Sequence, residues 1–176
     1  LVVRYPDSGN LWDSKYIRLF LGWFILIPAW SGMVAIRSHE YGSTLLLYLV
    51  GLVCITDTSA FFIGKYFGKH KLAPLVSPKK TWEGVIGALI IVLLFSFLLG
   101  KYFDLSWLHQ LCISLITVIL SSFVVIGDLT ESMFKRSENL KDSGNLLPGH
   151  GGILDRIDGL TAAAPFFAMF WMIMGI

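Results

Sequence analysis

Between residues 128 and 158 the chain places Asp128, Glu131, Ser132, Lys135, Arg136, Lys141, Asp142, His150, Asp155, Arg156 and Asp158, with glycines at 144, 149, 151 and 152. Carboxylate oxygens suit a divalent cation, and the neighbouring lysines and arginines suit phosphate. Glycines let the backbone approach a ligand closely. The cluster lies between two strongly apolar stretches. Charge is costly to order and bury beside a membrane, so charges packed there point to chemistry.

Asp128, Glu131 and Ser132 share a helical face, as do Asp155 and Asp158, three apart. Asp128 and Asp155 are the best-placed pair to hold Mg²⁺ from two elements, with coordination positions left for phosphate oxygens and with Asp158 close behind. The competing reading pairs these acids with Lys135, Arg136 or Arg156 as surface ion pairs, Glu131 and Lys135 forming a four-apart helix pair. His150 can serve as a hydrogen-bond donor to a metal-holding carboxylate, an acid or a phosphate ligand.

Three further features stand outside this cluster. Asp57, in Ile55-Thr56-Asp57-Thr58-Ser59-Ala60, lies inside an apolar stretch, where a carboxylate costs about 2.5–3.5 kcal/mol. It either bonds a neighbouring helix or faces a polar cavity. Gly64 and Gly68 are four apart: they allow close helix packing or admit a headgroup or nucleotide, with Lys65 and Lys69 near its phosphates. Ser77-Pro78-Lys79-Lys80-Thr81-Trp82-Glu83-Gly84 opens an apolar stretch. Ser77 or Thr81 can cap that helix, whose N-terminal N–H groups with Lys79 and Lys80 suit phosphate; the alternative is simple membrane anchoring.

The elements that must position these groups are membrane spans. Hydrophobic residues make up 55% of the 176 and charged ones 15%, a balance that points to the bilayer. Five apolar stretches approach the ~20 residues a helix needs to cross it: Leu19–Ile36, Thr44–Ile63, Val85–Gly100, Leu108–Gly127 and Leu160–Ile176. The expected fold is all-α, a polytopic transmembrane bundle of about five spans and nearly all helix, because a bilayer demands internally satisfied backbone groups. Pro28 and Ser31-Gly32 interrupt the first stretch. After the breakers Ser143-Gly144 and Pro148-Gly149, a helix can resume near Ile153. The chain reads as one domain, 1–176. It begins at Leu1 and reads as a fragment or processed form.

The net charge of +2 is too small to imply nucleic acid, but its placement carries orientation. Lys65, Lys69, Lys71, Lys79 and Lys80 face only Glu83 between residues 64 and 84. Positive-inside reasoning puts the N-terminus and the segments 64–84 and 128–158 in the cytoplasm. Both segments then meet at one membrane face. Cys54 and Cys112 fall within apolar stretches and read as packing residues.

The run Ser132-Met133-Phe134-Lys135-Arg136, Lys141-Asp142-Ser143-Gly144, Pro148-Gly149-His150-Gly151-Gly152-Ile153-Leu154-Asp155-Arg156-Ile157-Asp158 resembles the signature of the phosphatidate cytidylyltransferase (CDP-diacylglycerol synthase) family. Asp57–Lys65 and Ser77–Gly84 also resemble family blocks, in family order. The resemblance covers essentially the whole chain and is closest to bacterial members, which are longer, with further spans before this region.

It implies the reaction of CTP with phosphatidate to give CDP-diacylglycerol and pyrophosphate, with Mg²⁺ and room for a second cation. Carried over by position, Asp128 and Asp155 would hold the metal, and Asp158, His150, Lys141 and Asp142 would complete the catalytic site. Lys79 and Lys80 would neutralise the triphosphate, with Ser77, Thr81, Lys65, Asp57 and Arg156 as further substrate-binding candidates. The partners implied are CTP, phosphatidate and the lipid bilayer, with a homodimer left open. The implied location is the inner (cytoplasmic) membrane, with the site on the cytoplasmic side.

Rival classes are a CTP-dependent lipid kinase, which would transfer the γ-phosphoryl group, a CDP-archaeol-type synthase, and a truncated inactive homologue. A transporter would call for charges or broken helices near the midplane of several spans, which the third to fifth lack.

Overall fold

A computed structural model describes residues 14–138, 140, 143–144 and 152–174. Five α-helices account for most of them: α1 (Lys15–Arg37), α2 (Gly42–Phe67), α3 (Trp82–Tyr102), α4 (Trp107–Ser137) and α5 (Leu154–Met174). Among the described residues, four helices (α1 to α4) are long and apolar enough to cross a membrane. The chain is a multi-pass membrane protein of all-α class. The fifth helix starts close to the expected Ile153 and packs on α1 and α4. Hydrophobic side chains such as Phe20, Trp23, Leu98 and Leu115 project outward from the bundle, as bilayer-facing positions require.

α2 packs on α3, and α4 packs on both α3 and α5. Their shared core holds Leu49, Leu52, Val92, Leu120, Val124, Ala163, Ala164 and Phe167. α1 runs unbroken through Pro28, and the Ser31 hydroxyl donates to the Pro28 carbonyl. Hydroxyls join the inner helix faces: Thr56 to Ser121 at 3.0 Å and Tyr48 to Thr117 at 2.5 Å. Such interhelical bonds act as polar glue in a membrane. Cys54 and Cys112 are free thiols; Cys112 is half-buried, whereas Cys54 is exposed on the outside of α2 rather than packed in the core.

One local expectation needs correction. Ser77 and Pro78 do not open a helix. Residues 71–73 and 77–81 form an antiparallel hairpin, β1 (Lys71–Ala73) and β2 (Ser77–Thr81), in which Lys71 lies opposite Thr81 and Ala73 opposite Ser77. Packing supplies the reason: Ala73 and Val76 bury against Val125, Leu129 and Met133 of α4. The hairpin is thereby laid along the last turns of α4, and Arg136 donates to the Val76 carbonyl. The helix proper begins at Trp82. Thr81 is its N-cap, accepting from the Gly84 N–H at 3.2 Å, the capping role expected for it.

α4 has 31 residues, well over the ~20 needed to span. It continues past Gly127 to Ser137, which carries Asp128, Glu131 and Lys135 beyond the apolar run. Arg18 of α1 forms an ion pair with Glu138, so the start of α1 lies at the same end.

Candidate active site

Four elements bring charge to that end: α2 with Asp57, β2 with Lys80, α4 with Asp128, Glu131 and Lys135, and α5 with Asp155 and Asp158. Close helix contact makes the meeting possible. Gly127 of α4 faces Ala162 and the Asp158 carbonyl, and Gly159 of α5 faces Val124 and Val53. A Cβ at either position would overlap the opposite helix, so these glycines set how near Asp128 and Asp158 come.

Lys80 is the inward-pointing lysine of β2 and pairs with Asp128, both side chains being largely covered. Ser132 donates to Asp128 Oδ1 at 3.3 Å. Asp57 senses the charges of Asp128, Lys80 and Asp158. Its side chain is exposed on α2.

Asp155 organises the other half. Its Oδ1 receives Lys135 Nζ at 2.6 Å, and its Oδ2 receives the N–H groups of Ser143 at 2.9 Å and Gly152 at 2.8 Å. Burial disfavours its charge, but these donors outweigh burial and hold the carboxyl well below the usual carboxylate range. It ties both ends of the 143–152 segment to α4.

Glu131 lies between the halves. Its nearest cation is Lys135 Nζ at 3.4 Å, and both its oxygens are buried without a hydrogen bond. Asp158 and Asp155 are its charged neighbours. Asp158 receives the Gly159 N–H at 2.7 Å. Buried carboxylate oxygens normally find donors; for Glu131 the Lys135 ammonium at 3.4 Å supplies charge but no aligned hydrogen bond.

The other candidates lie at varying distance from this centre. Lys79 and Lys65 are exposed, Lys65 resting 5.9 Å from the centre of the Tyr66 ring. Ser77 begins β2, and the Thr81 side chain is occupied as a cap. Arg156 is exposed on the first turn of α5. Gly64 packs against Thr81 and Gly84, which favours close helix packing there. Lys141, Asp142 and His150 lie outside the described residues. Among the described residues, no three His, Cys, Asp or Glu side chains converge on one metal position.

Lys135 is the residue whose importance the sequence understated. Its expected four-apart pair with Glu131 is present, and it also pairs with Asp155, but both pairs are covered rather than on the surface. Its signal was present: Asp128, Glu131 and Lys135 recur at three and four residues, on one face of α4.

Covered acids and lysines thus gather at one end of a membrane bundle. The cytidylyltransferase family model matches residues 7–174, and the chain belongs to that family. It is 49% identical to a phosphatidate cytidylyltransferase of Pseudomonas aeruginosa over 96% of its own length and 62% of the relative's. It is 45% identical to the phosphatidate cytidylyltransferase of Haemophilus influenzae over 97% of its length and 63% of the relative's. For the Bacillus subtilis enzyme of that name the identity is 42%, over 83% and 56%. The chain thus spans under two thirds of the length of these curated relatives.

Proposed function

We propose that this chain carries the reaction centre of a phosphatidate cytidylyltransferase: CTP and phosphatidate give CDP-diacylglycerol and pyrophosphate. The observation behind this reading is the convergence of Lys80–Asp128 and Lys135–Asp155 around the unsatisfied Glu131 at one end of a membrane bundle. The relatives' shared name supplies the substrates.

The phosphate of phosphatidate is already a nucleophile, so the site need only remove repulsion between two anions. One phosphate oxygen bonds to the α-phosphorus of CTP, the α–β bridging P–O bond breaks, and pyrophosphate departs. In this reading Lys80 and Lys79 bind the triphosphate, and Lys135 holds Asp155 in place.

The donor set suits Mg²⁺: hard carboxylate oxygens, with two of them buried and unsatisfied in Glu131. Asp128 and Asp155 would hold it, with Asp158 beside them. The bound ion would neutralise phosphate charge and polarise the α-phosphoryl group. A cytoplasmic placement of this end agrees with the lysine excess in 64–84 and lets CTP enter from water while the lipid enters sideways.

The test is incubation of the detergent-purified protein with Mg²⁺, phosphatidate and CTP labelled separately at the α- and γ-phosphates. The α-label should enter the lipid and the γ-label should leave in pyrophosphate. The γ-label in lipid would mean kinase chemistry instead, and no label in lipid would remove the activity from this chain.

A further inference from the structure

The hairpin that carries Lys80 inward has a second, exposed face that shares only Lys79 with the proposed triphosphate site. Lys80 points to Asp128, whereas Lys79, Lys71 and Lys69 are exposed. Lys71 lies opposite Thr81, so the 69–71 segment runs beside Lys79 and Lys80. None of Lys69, Lys71 and Lys79 pairs with a carboxylate among the described residues. The one acid of the segment, Glu83, is held by His70, through Nδ1 at 2.6 Å and the backbone N–H at 3.1 Å. The outward charge of this face is therefore positive and unneutralised.

Apolar side chains frame the same face. Leu75 at the hairpin tip is 63% exposed, and Tyr66, Phe67 and Trp82 are exposed at the adjoining helix ends. Aromatic residues at span ends sit at the headgroup level. Lysines at that level attract anionic lipid, with about 1 kcal/mol, or roughly fivefold in local occupancy, per lysine. The inner side of the hairpin is fixed on α4 through Ala73 and Val76, so the charged side is presented steadily rather than on a loose loop.

We propose that the outer face of the β1–β2 hairpin, with Lys69 and Lys71 as its charged contacts, is a docking platform for the headgroups of anionic phospholipids. Charge complementarity selects this occupant, and the flanking aromatic and leucine side chains place the platform at the bilayer surface. In the proposed reaction it would gather the anionic lipid substrate one strand away from Lys80. The docking itself does not depend on that reaction.

The experiment uses the whole chain reconstituted in phosphatidylcholine bilayers with a photoactivatable phosphatidylglycerol labelled near its headgroup, an anionic lipid that is not the proposed substrate. Adducts are mapped by peptide mass spectrometry. Wild-type protein should be labelled within residues 64–84. Lys69→Gln with Lys71→Gln should lower that labelling by about fivefold or more, and high salt should lower it likewise. Lys69→Arg with Lys71→Arg should retain it, and Lys101→Gln, at the far end of α3, should leave it unchanged. Equal labelling of the double glutamine variant would overturn the proposal. So would full competition by inorganic phosphate, which would show a site for free anions rather than a lipid surface. Loss of cytidylyl transfer with labelling intact would count against the proposed reaction and leave the platform standing.

Discussion

At one end of the bundle, α2, α3, α4 and α5 enclose an apolar cavity of about 200 Å³ lined by Leu45, Tyr48, Leu99, Phe167 and Trp171 among others. At the other end, Lys80, Asp128, Glu131, Lys135, Asp155 and Asp158 converge. Polar atoms occur at both, but of different kinds. Beside the cavity, Tyr48, Thr117, Ser96 and Ser114 are neutral hydroxyls bonded to one another, and the unpartnered atom is the neutral N–H of Trp171. At the charged end both oxygens of the Glu131 carboxylate are buried without a hydrogen bond, its Oε1 lying 3.4 Å from Lys135 Nζ.

A neutral hydroxyl costs little to bury once bonded, and it fixes helix against helix. A buried carboxylate costs far more unless a cation compensates it. The first end is therefore read as structure and the second as chemistry, with stability given up where a ligand must bind.

Substitutions at the two ends should separate these readings. The largest effect is expected from Asp128→Asn, which should lower CDP-lipid formation by about 100- to 1000-fold with the helical circular dichroism unchanged. A loss of helicity in step with activity would make Asp128 a structural residue. Glu131→Gln should lower turnover by about 10- to 100-fold while leaving the thermal stability of the ligand-free protein near wild type, because the amide keeps the shape and Lys135 keeps its ion pair with Asp155. A fall in both stability and activity would dissolve the contrast between the ends.

Asp155 offers a test by pH. Its folded carboxyl titrates below the ordinary range, so the stabilisation is present above the unfolded value of about 3.9 and is lost as pH falls from there. Thermal unfolding followed from pH 6 downward should show an acid-side loss of stability in wild-type protein that is flatter in Asp155→Asn. Identical slopes would mean that its donors do not stabilise the fold. The smallest effect is expected at the other end. Thr117→Val should cost about 0.6 kcal/mol, at most ~1.7, and leave turnover unchanged. A marked loss of turnover would tie the hydroxyl network to the site.

The spans were legible because a bilayer leaves the backbone few alternatives: Thr44–Ile63 and Val85–Gly100 fall within α2 and α3. The Thr81 cap was legible too, since capping is a local matter. The hairpin was not. Lys71–Ala73 and Ser77–Thr81 are short, and they pair only because α4, some fifty residues later, offers Val125, Leu129 and Met133 as a surface. Lys135 was misplaced for the same reason. Four-apart spacing identifies the helix face it shares with Glu131, but the covering of that face by α5 is a tertiary event. Asp128 and Asp155 stood out in the sequence, yet their partners Lys80 and Lys135 belong to the closed fold rather than to local sequence.

The Lys80–Asp128 pair allows one decisive measurement, a charge exchange in which Lys80→Asp and Asp128→Lys are combined. The exchange restores an ion pair at the same place with the charges reversed. If the pair serves the reaction, the double variant should unfold near the wild-type temperature and yet transfer no α-label from CTP to phosphatidate. Recovery of transfer together with stability would show that the pair only holds β2 to α4, and the chemistry would have to be sought elsewhere.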